Sequence, residues 1–275
     1  MIVFNESSHS YTHLESGNNL NGWTTLIKKY TQPFDMDTQL VLSAYSMFLG
    51  KEYTNLKFGK FKNSKPEVFL DFLQTEFPDL PQNFIKELQY EWGYSAIRGS
   101  EFHSFLENKT IEQGFDINPF TDEKYLTINI AKDYDNQSLK ENLFDLEDGY
   151  YPELLVWDYS MGESCSPVTM IDRCYIKTIN NVRFVDVGDY KTNKSIWNGK
   201  DRKMSGVLSN FYDNTEDKYK LQVCFGAKLL STFGFTPRFC GFSHYKNYNE
   251  KNVKLYLAKY DAELMDAFQK DWRGF

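Results

Sequence analysis

Little in this sequence supports an extracellular, membrane-embedded or thiolate-metal protein. Only four cysteines occur in 275 residues (Cys165, Cys174, Cys224 and Cys240), at unrelated spacings and with no CxxC pair. That argues against a disulfide framework and against a zinc site, and it fits reduced, mostly buried thiols in a cytoplasmic protein. No apolar run approaches the length of a membrane span, and the opening MIVFNESSHSY has neither the basic stretch nor the apolar core of a secretory leader. Internal repeats, low-complexity tracts and long Gly/Ser/Pro linkers are missing too, so one domain over residues 1–275 is expected. Positive charge is also short: 31 Lys+Arg against 38 Asp+Glu leave −7. A generic polyanion binder is thereby disfavoured. If the chain handles nucleic acid, its cations must gather locally around acidic metal ligands.

Apolar material is plentiful. Hydrophobic residues make up 41% and aromatics 17%, with 23 Phe and 19 Tyr, enough for a substantial core. Most of these rings are expected to pack inside, although a nucleic-acid binder can also stack bases on them.

Periodicity predicts an α/β chain. Residues 2–13 and the SGNN turn read as a short β-hairpin, followed by helical stretches over 23–30, 37–49 and 66–77. The strongest helix spans 81–107, where Phe84, Leu88, Trp92, Ala96, Gly99, His103 and Leu106 recur at intervals of three or four. A short helix is expected over 137–146. Three β-rich runs follow, at 153–159, 168–177 and 182–190, the last two joined by an Asn-Asn turn signal. Helical spacing returns over 218–233, two strands over 239–248 and 253–259, and a final helix over 261–271. The middle strands are joined too tightly for βαβ crossovers, which argues for a mixed sheet rather than a doubly wound one.

The chemistry concentrates in a few short strings. In VDVGDYKTNK, Asp189 and Lys191 lie two apart on a strand and so share one face. Asp172, in IDRCYI, sits on the strand one hairpin away. Two carboxylates brought together on adjacent strands repel unless a cation lies between them, and oxygen ligands suit Mg²⁺ or Mn²⁺. Taken singly, each feature has an ordinary explanation: an exposed strand end, a surface Asp172–Arg173 pair, a helix-face histidine. Their conjunction and order are what point to a site.

That order, GSEFHSFLE (Gly99–Glu107), IDR (Asp172), DYKT (Asp189–Thr192) and YKLQ (Tyr219–Gln222), resembles the motif series of RecB-like PD-(D/E)XK nucleases, and the phage-type exonuclease branch in particular. Trp92 ahead of the G-x-x-x-H helix, Pro152 and Glu153 ahead of the Asp strand, and the His9, Tyr11, Thr24, Thr25 stretch are similar to further features of that branch. The resemblance runs through most of the chain. It implies a restriction-endonuclease-like core with a central mixed β-sheet flanked by helices over 81–275, with residues 1–80 adding an N-terminal hairpin and helices. It implies a metal site from His103, Asp172, Asp189 and the backbone carbonyl of Tyr190, with Lys191 orienting or activating the attacking water and Gln222 supporting the site. Gly99, one turn before His103, would let another backbone or DNA approach closely. Glu153 is a further candidate near the metal or DNA, Tyr219 stands beside Gln222, and Lys194, Lys200, Arg202 and Lys203 would meet the phosphate backbone.

By that resemblance the protein is a Mg²⁺- or Mn²⁺-dependent deoxyribonuclease, an exonuclease of recombination or DNA processing. It would act on linear ends or single-stranded regions, in the host cytoplasm if phage-encoded, with a recombination protein as the partner type. A catalytically inactive scaffold or DNA-binding protein and a structure-specific endonuclease are the alternatives. Two departures stand out. Thr169-Met170-Ile171 precedes Asp172 where the family often has a small residue and Gly, and Gly226 stands where the helix commonly carries a Tyr. Relatives with an iron–sulfur cluster hold it by one early and three late cysteines. Nothing precedes Cys165 here, so no cluster is expected.

Overall fold

A computed structural model describes residues 2–5, 10–128, 143–158, 166–200 and 202–273, with only the backbone described at 3–5 and 272–273. His9, Cys165 and most of the helix expected over 137–146 lie outside the described residues. The chain separates into two compact units, Met1–Gln32 with Phe102–Phe275, and Pro33–Glu101.

The larger unit is built on a mixed eight-stranded sheet, and β7 (Pro167–Ile179) is its spine. Along one edge, β6 (Gly149–Trp157) runs antiparallel from Gly149↔Ile176 to Trp157↔Val168. The other edge is divided. β3 (Asn19–Gly22) joins it in parallel at Pro167 and Val168, while β8 (Val182–Lys191) pairs antiparallel from Ile179↔Val182 to Arg173↔Gly188. The β7–β8 turn is Asn180-Asn181, both at positive φ (50° and 61°), which matches the right-handed twist of a tight hairpin. Beyond β3 lie β2 (Ser10–His13) and β1 (Ile2–Asn5), both antiparallel. On the other side, β9 (Thr236–Tyr245) pairs in parallel with β8, and β10 (Val253–Ala258) antiparallel with β9.

The N-terminal hairpin is therefore part of the central sheet and not an addition to a core that starts at residue 81. The reason is the Asn21–Gly22 pairing with β7, which no local pattern announces.

A parallel β8–β9 pair needs a crossover, and α6 (Thr215–Ser231) supplies it. Asn214 caps the helix by accepting the Asp217 amide (2.7 Å), and Glu216 and Asp217 sit in its first turn, where the helix dipole favours anions. Leu221, Cys224, Phe225 and Ala227 bury it against the sheet residues Ile171, Cys174, Val185, Val187 and Cys240. Trp23 and Ile27 of α1 (Trp23–Ile27) and Met265 and Phe268 of α7 (Ala262–Arg273) complete this core, with Phe268 against Tyr30, Trp23 and Phe225.

The opposite face is closed by polar groups. A hairpin of two short strands, β4 (Phe115–Ile117) and β5 (Lys124–Leu126), brings Asp116 to the buried Arg173 (2.7 Å) and the Tyr175 hydroxyl (2.5 Å). The fully buried Asp186 accepts from Asn118 Nδ2 (2.7 Å), Arg238 Nε and Nη2 (2.9 and 2.5 Å) and the Phe239 amide (3.2 Å).

The smaller unit is helical: α2 (Met36–Leu49), α3 (Lys51–Phe58), α4 (Pro66–Glu76) and the first part of α5 (Gln82–Gln113). Asp35 caps α2 through the Asp37 and Thr38 amides, and Pro66 opens α4 at a position where its missing N–H costs nothing. Leu42, Tyr45, Tyr53, Phe61, Phe69 and Leu73 form its main cluster. From Phe102 onward, α5 belongs to the larger unit.

Removing one side of the Asp186 network should leave a buried charge without its cation. Arg238→Met is expected to lower unfolding free energy by about 3 kcal/mol, measured by urea denaturation. Adding Asp186→Asn should recover much of that loss; a double variant no better than the single would show that the pairing is not what matters.

Candidate metal centre

The site lies where β8 parts from β7. Their ladder ends at Arg173↔Gly188, and one step further the Asp172 side chain takes over, with Oδ2 accepting the Tyr190 amide at 3.0 Å. Strand alternation puts Asp189 and Lys191 on the face of Val185 and Val187, toward α6. There Lys191 Nζ reaches Asp189 Oδ2 at 2.5 Å and stands 4.6 Å from the centre of the Tyr219 ring. Tyr190 turns to the other face, where its ring meets Tyr245 and the imidazole of His103. Phe102 packs on the same Tyr245, and this seats α5 so that His103 Nδ1 comes 3.3 Å from Asp172 Oδ2.

Glu153 joins this group. One ligand atom each from His103, Glu153 and Asp172 fall within 4.8 Å of one another, all three residues half-buried. Glu153 holds φ at 52°, the left-handed region that a non-glycine residue rarely occupies. The consequence is visible in the packing. Tyr151 and Leu154, on opposite faces in a regular strand, both enter the core, and facing them Ile171 and Cys174 do the same. The regular alternation thus slips at one level in both strands, and Glu153 and Asp172 occupy that level.

Electrostatics then follow from burial. Asp189 is pushed up to about 7, first by burial and then by the charge of Asp172, with Lys191 pulling the other way. Asp172 is raised by burial and by Glu153, and the two aspartate carboxyl groups are within hydrogen-bonding reach of each other. Carboxylates so placed require a proton or a cation between them. Burial holds His103 below its ordinary value, which keeps the ring neutral with a lone pair free to ligate; the Tyr190 carbonyl is within its reach. Burial also pulls the Lys191 ammonium down, but Asp189 and Asp172 outweigh it and the net shift is upward. With no metal on the aspartates, Lys191 is therefore held as a cation and a hydrogen-bond donor.

The His103, Glu153 and Asp172 cluster offers a hard divalent ion two carboxylates and one neutral imidazole, with the Tyr190 carbonyl in reach of His103; Asp189, held by Lys191, lies outside that cluster but within reach of Asp172. His103, Asp172, Asp189, Tyr190 and Lys191 are brought together, and Tyr219 stands beside Lys191. Gln222, one turn further along α6, is half-buried, and its side chain makes no hydrogen bond to a described residue. Lys194, Lys200, Arg202 and Lys203 are exposed on the loop after β8. Trp92 and Gly99 belong to the smaller unit. Tyr11 of β2 is near both Glu153 and Asp172; burial and then those charges keep its phenol protonated. The H-x-Y string was its signal in the sequence.

The two departures from the family pattern touch each other. A Cβ at Gly226 would lie 3.2 Å from Ile171 Cγ1 and 3.6 Å from Val187 Cγ1. The large residue before Asp172 thus fills the room that a helix side chain at 226 would need.

No protein-family model matches this chain, and none of the curated proteins matches it either.

Two outcomes are expected. Because φ at Glu153 suits glycine, Glu153→Gly should be more stable than Glu153→Ala by about 1 kcal/mol in thermal unfolding, although both lose the carboxylate. Because a cation must displace the proton on the Asp172–Asp189 pair, Mn²⁺ affinity should climb by about tenfold per pH unit below about pH 7 and level off above it. Calorimetric titration in buffers of different ionisation heat would report the released proton; pH-independent binding would refute the linkage.

Proposed function

We propose that this protein is a divalent-metal-dependent deoxyribonuclease with a restriction-endonuclease-like core of the PD-(D/E)XK kind, acting as an exonuclease in recombination or DNA processing. The observation that carries this reading is the convergence of a helix-borne imidazole, three carboxylates and a buried ammonium at the parting of two strands. The β7–β8 hairpin, the α6 crossover and β9 support the fold assignment, and the motif order supports the family.

Phosphodiester hydrolysis forms a bond from water oxygen to phosphorus and breaks the bond to the leaving oxygen. It needs an aligned water and compensation for charge on the phosphoryl and leaving oxygens. A Mg²⁺ or Mn²⁺ ion, when bound, would supply the Lewis acidity for both. The residues do the rest. His103, Glu153, Asp172 and Asp189, with the Tyr190 carbonyl, would hold the ion. Lys191, kept protonated by its two aspartates, would hydrogen-bond the water and a non-bridging phosphate oxygen, and Asp189 would fix the ammonium in place. Tyr219 lies along the Lys191 ammonium and narrows its conformational freedom.

Purified protein should degrade labelled linear DNA with Mg²⁺ or Mn²⁺ and stop on addition of EDTA. Lys191→Ala should lose about a hundredfold or more in kcat, and Asp172→Ala at least as much. Cleavage of closed circular DNA would replace the exonuclease assignment by an endonuclease one. Undiminished activity in Lys191→Ala would overturn the mechanism, and absence of both cleavage and Mn²⁺ binding would overturn the function.

A further inference from the structure

The loop that leaves the site after Lys191 carries a combination of groups the metal chemistry does not use. Residues 192–203 read TNKSIWNGKDRK, four cations against the one carboxylate of Asp201, a net +3 (4 − 1) in a chain of net −7. Lys194, Lys200, Arg202 and Lys203 are all exposed. Among the described residues none of the four is in an ion pair, whereas Lys218 and Lys220 on the adjoining helix are paired with Asp213 and Glu216. In their midst Trp197 leaves 48% of its surface in solvent.

This indole is displayed on a fastened loop. Asn193 is tied twice, accepting from the Tyr219 hydroxyl (2.8 Å) through Oδ1 and from His244 Nε2 (2.7 Å) through its carbonyl. The Trp197 carbonyl accepts the Glu216 amide (3.1 Å), and the Gly199 carbonyl accepts Asn214 Nδ2 (2.9 Å). The indole packs against Gly199, where any side chain would collide with it. Trp197 thus rests over the first turn of α6, and Tyr219, beside Lys191, is on the next turn. The indole is left open on a loop anchored one helical turn from Tyr219, and the cations that flank it in sequence form no ion pair with a described residue.

We infer that residues 193–200, with Arg202, form a rest for single-stranded DNA next to the metal centre, with one unpaired base stacked on Trp197 and phosphates met by Lys194, Lys200 and Arg202. The inference builds on the nuclease reading of that centre and names the form of substrate it takes. A flat π-face offers a stacking platform to a base outside a duplex, because inside a duplex both faces of every base except those of the end pairs are already stacked. Phosphates would supply counter-charge to cations that pair with no described residue.

The test is binding of a labelled oligothymidylate, followed by fluorescence anisotropy in EDTA so that no cleavage occurs. Trp197→Ala should weaken binding by about tenfold, while Trp197→Phe, which keeps a π-face, should lose much less. A closed circular duplex, which presents no free base face, should bind both variants as it binds the wild type. Lys194→Ala and Lys200→Ala should each flatten the slope of log K against log salt by about 0.7. Wild-type affinity in Trp197→Ala, or equal loss toward strand and duplex, would overturn the inference. The two readings fail separately. A protein that cleaves DNA but whose strand affinity ignores Trp197 sinks this inference alone, and one that grips the strand through Trp197 but never cleaves sinks the nuclease alone.

Discussion

Everything at the candidate centre depends on how one strand divides its edge. β7 can give its hydrogen bonds on that side to one neighbour at a time; β3 takes them at Pro167 and Val168, and β8 takes them from Arg173 onward. Between the two claims the sheet has to open. Asp172 stands at the opening, its carboxylate replacing a ladder bond to the Tyr190 amide. Because the strands part there, groups from both faces of the sheet can meet: His103 from the α5 side, and Asp189 and Lys191 from the α6 side. A regular, fully paired sheet would keep those faces apart.

The centre is expensive for the metal-free protein. Burial raises both Asp172 and Asp189; Glu153 raises Asp172 further, and Asp172 raises Asp189. Glu153 adds a third carboxylate on a left-handed backbone. Lys191 relieves part of this. Local strain and crowded like charges at one level of two strands, in a sheet otherwise well packed, make this level the candidate site. The polar closure on the far face follows the opposite logic: Asp186 and Arg173 are as deeply buried but have their partners within the fold.

Much of this was readable in the sequence because it follows local rules. Period two alone puts Asp189 and Lys191 together, the three-and-four spacing puts His103 on the inner side of α5, and the Asn-Asn signal marks a tight hairpin. What escaped was non-local or too short to be periodic. The strands β4 and β5 have three residues each, and α3 follows α2 directly after Gly50, so neither gave a window to read. Glu153 was a lesser candidate, because nothing in its neighbours announces a positive φ. Ile171 and Gly226 looked like two independent features of the sequence and belong to one packing arrangement. Trp197 was one aromatic among many until its exposure separated it from the core rings. Gln222 was expected to support the site, and its side chain makes no hydrogen bond to a described residue.

The parallel seat of β3 on β7 also sets a timetable. As the chain emerges from the ribosome, residues 19–22 are made early, but their partners Pro167 and Val168 arrive only after the helical unit and α5 have been completed. Until then the first hairpin has no sheet to join, and Leu20, with Ile2 and Tyr11 beside it, lacks Leu155, Trp157 and Val168, which complete its cluster in the finished fold. Long-range parallel pairing of this sort is slow and leaves strand edges waiting. The stretch that will pair with β7 is polar around Leu20, with Ser16 to Asn19 before it and Asn21 after it, a composition that limits mispairing during the delay.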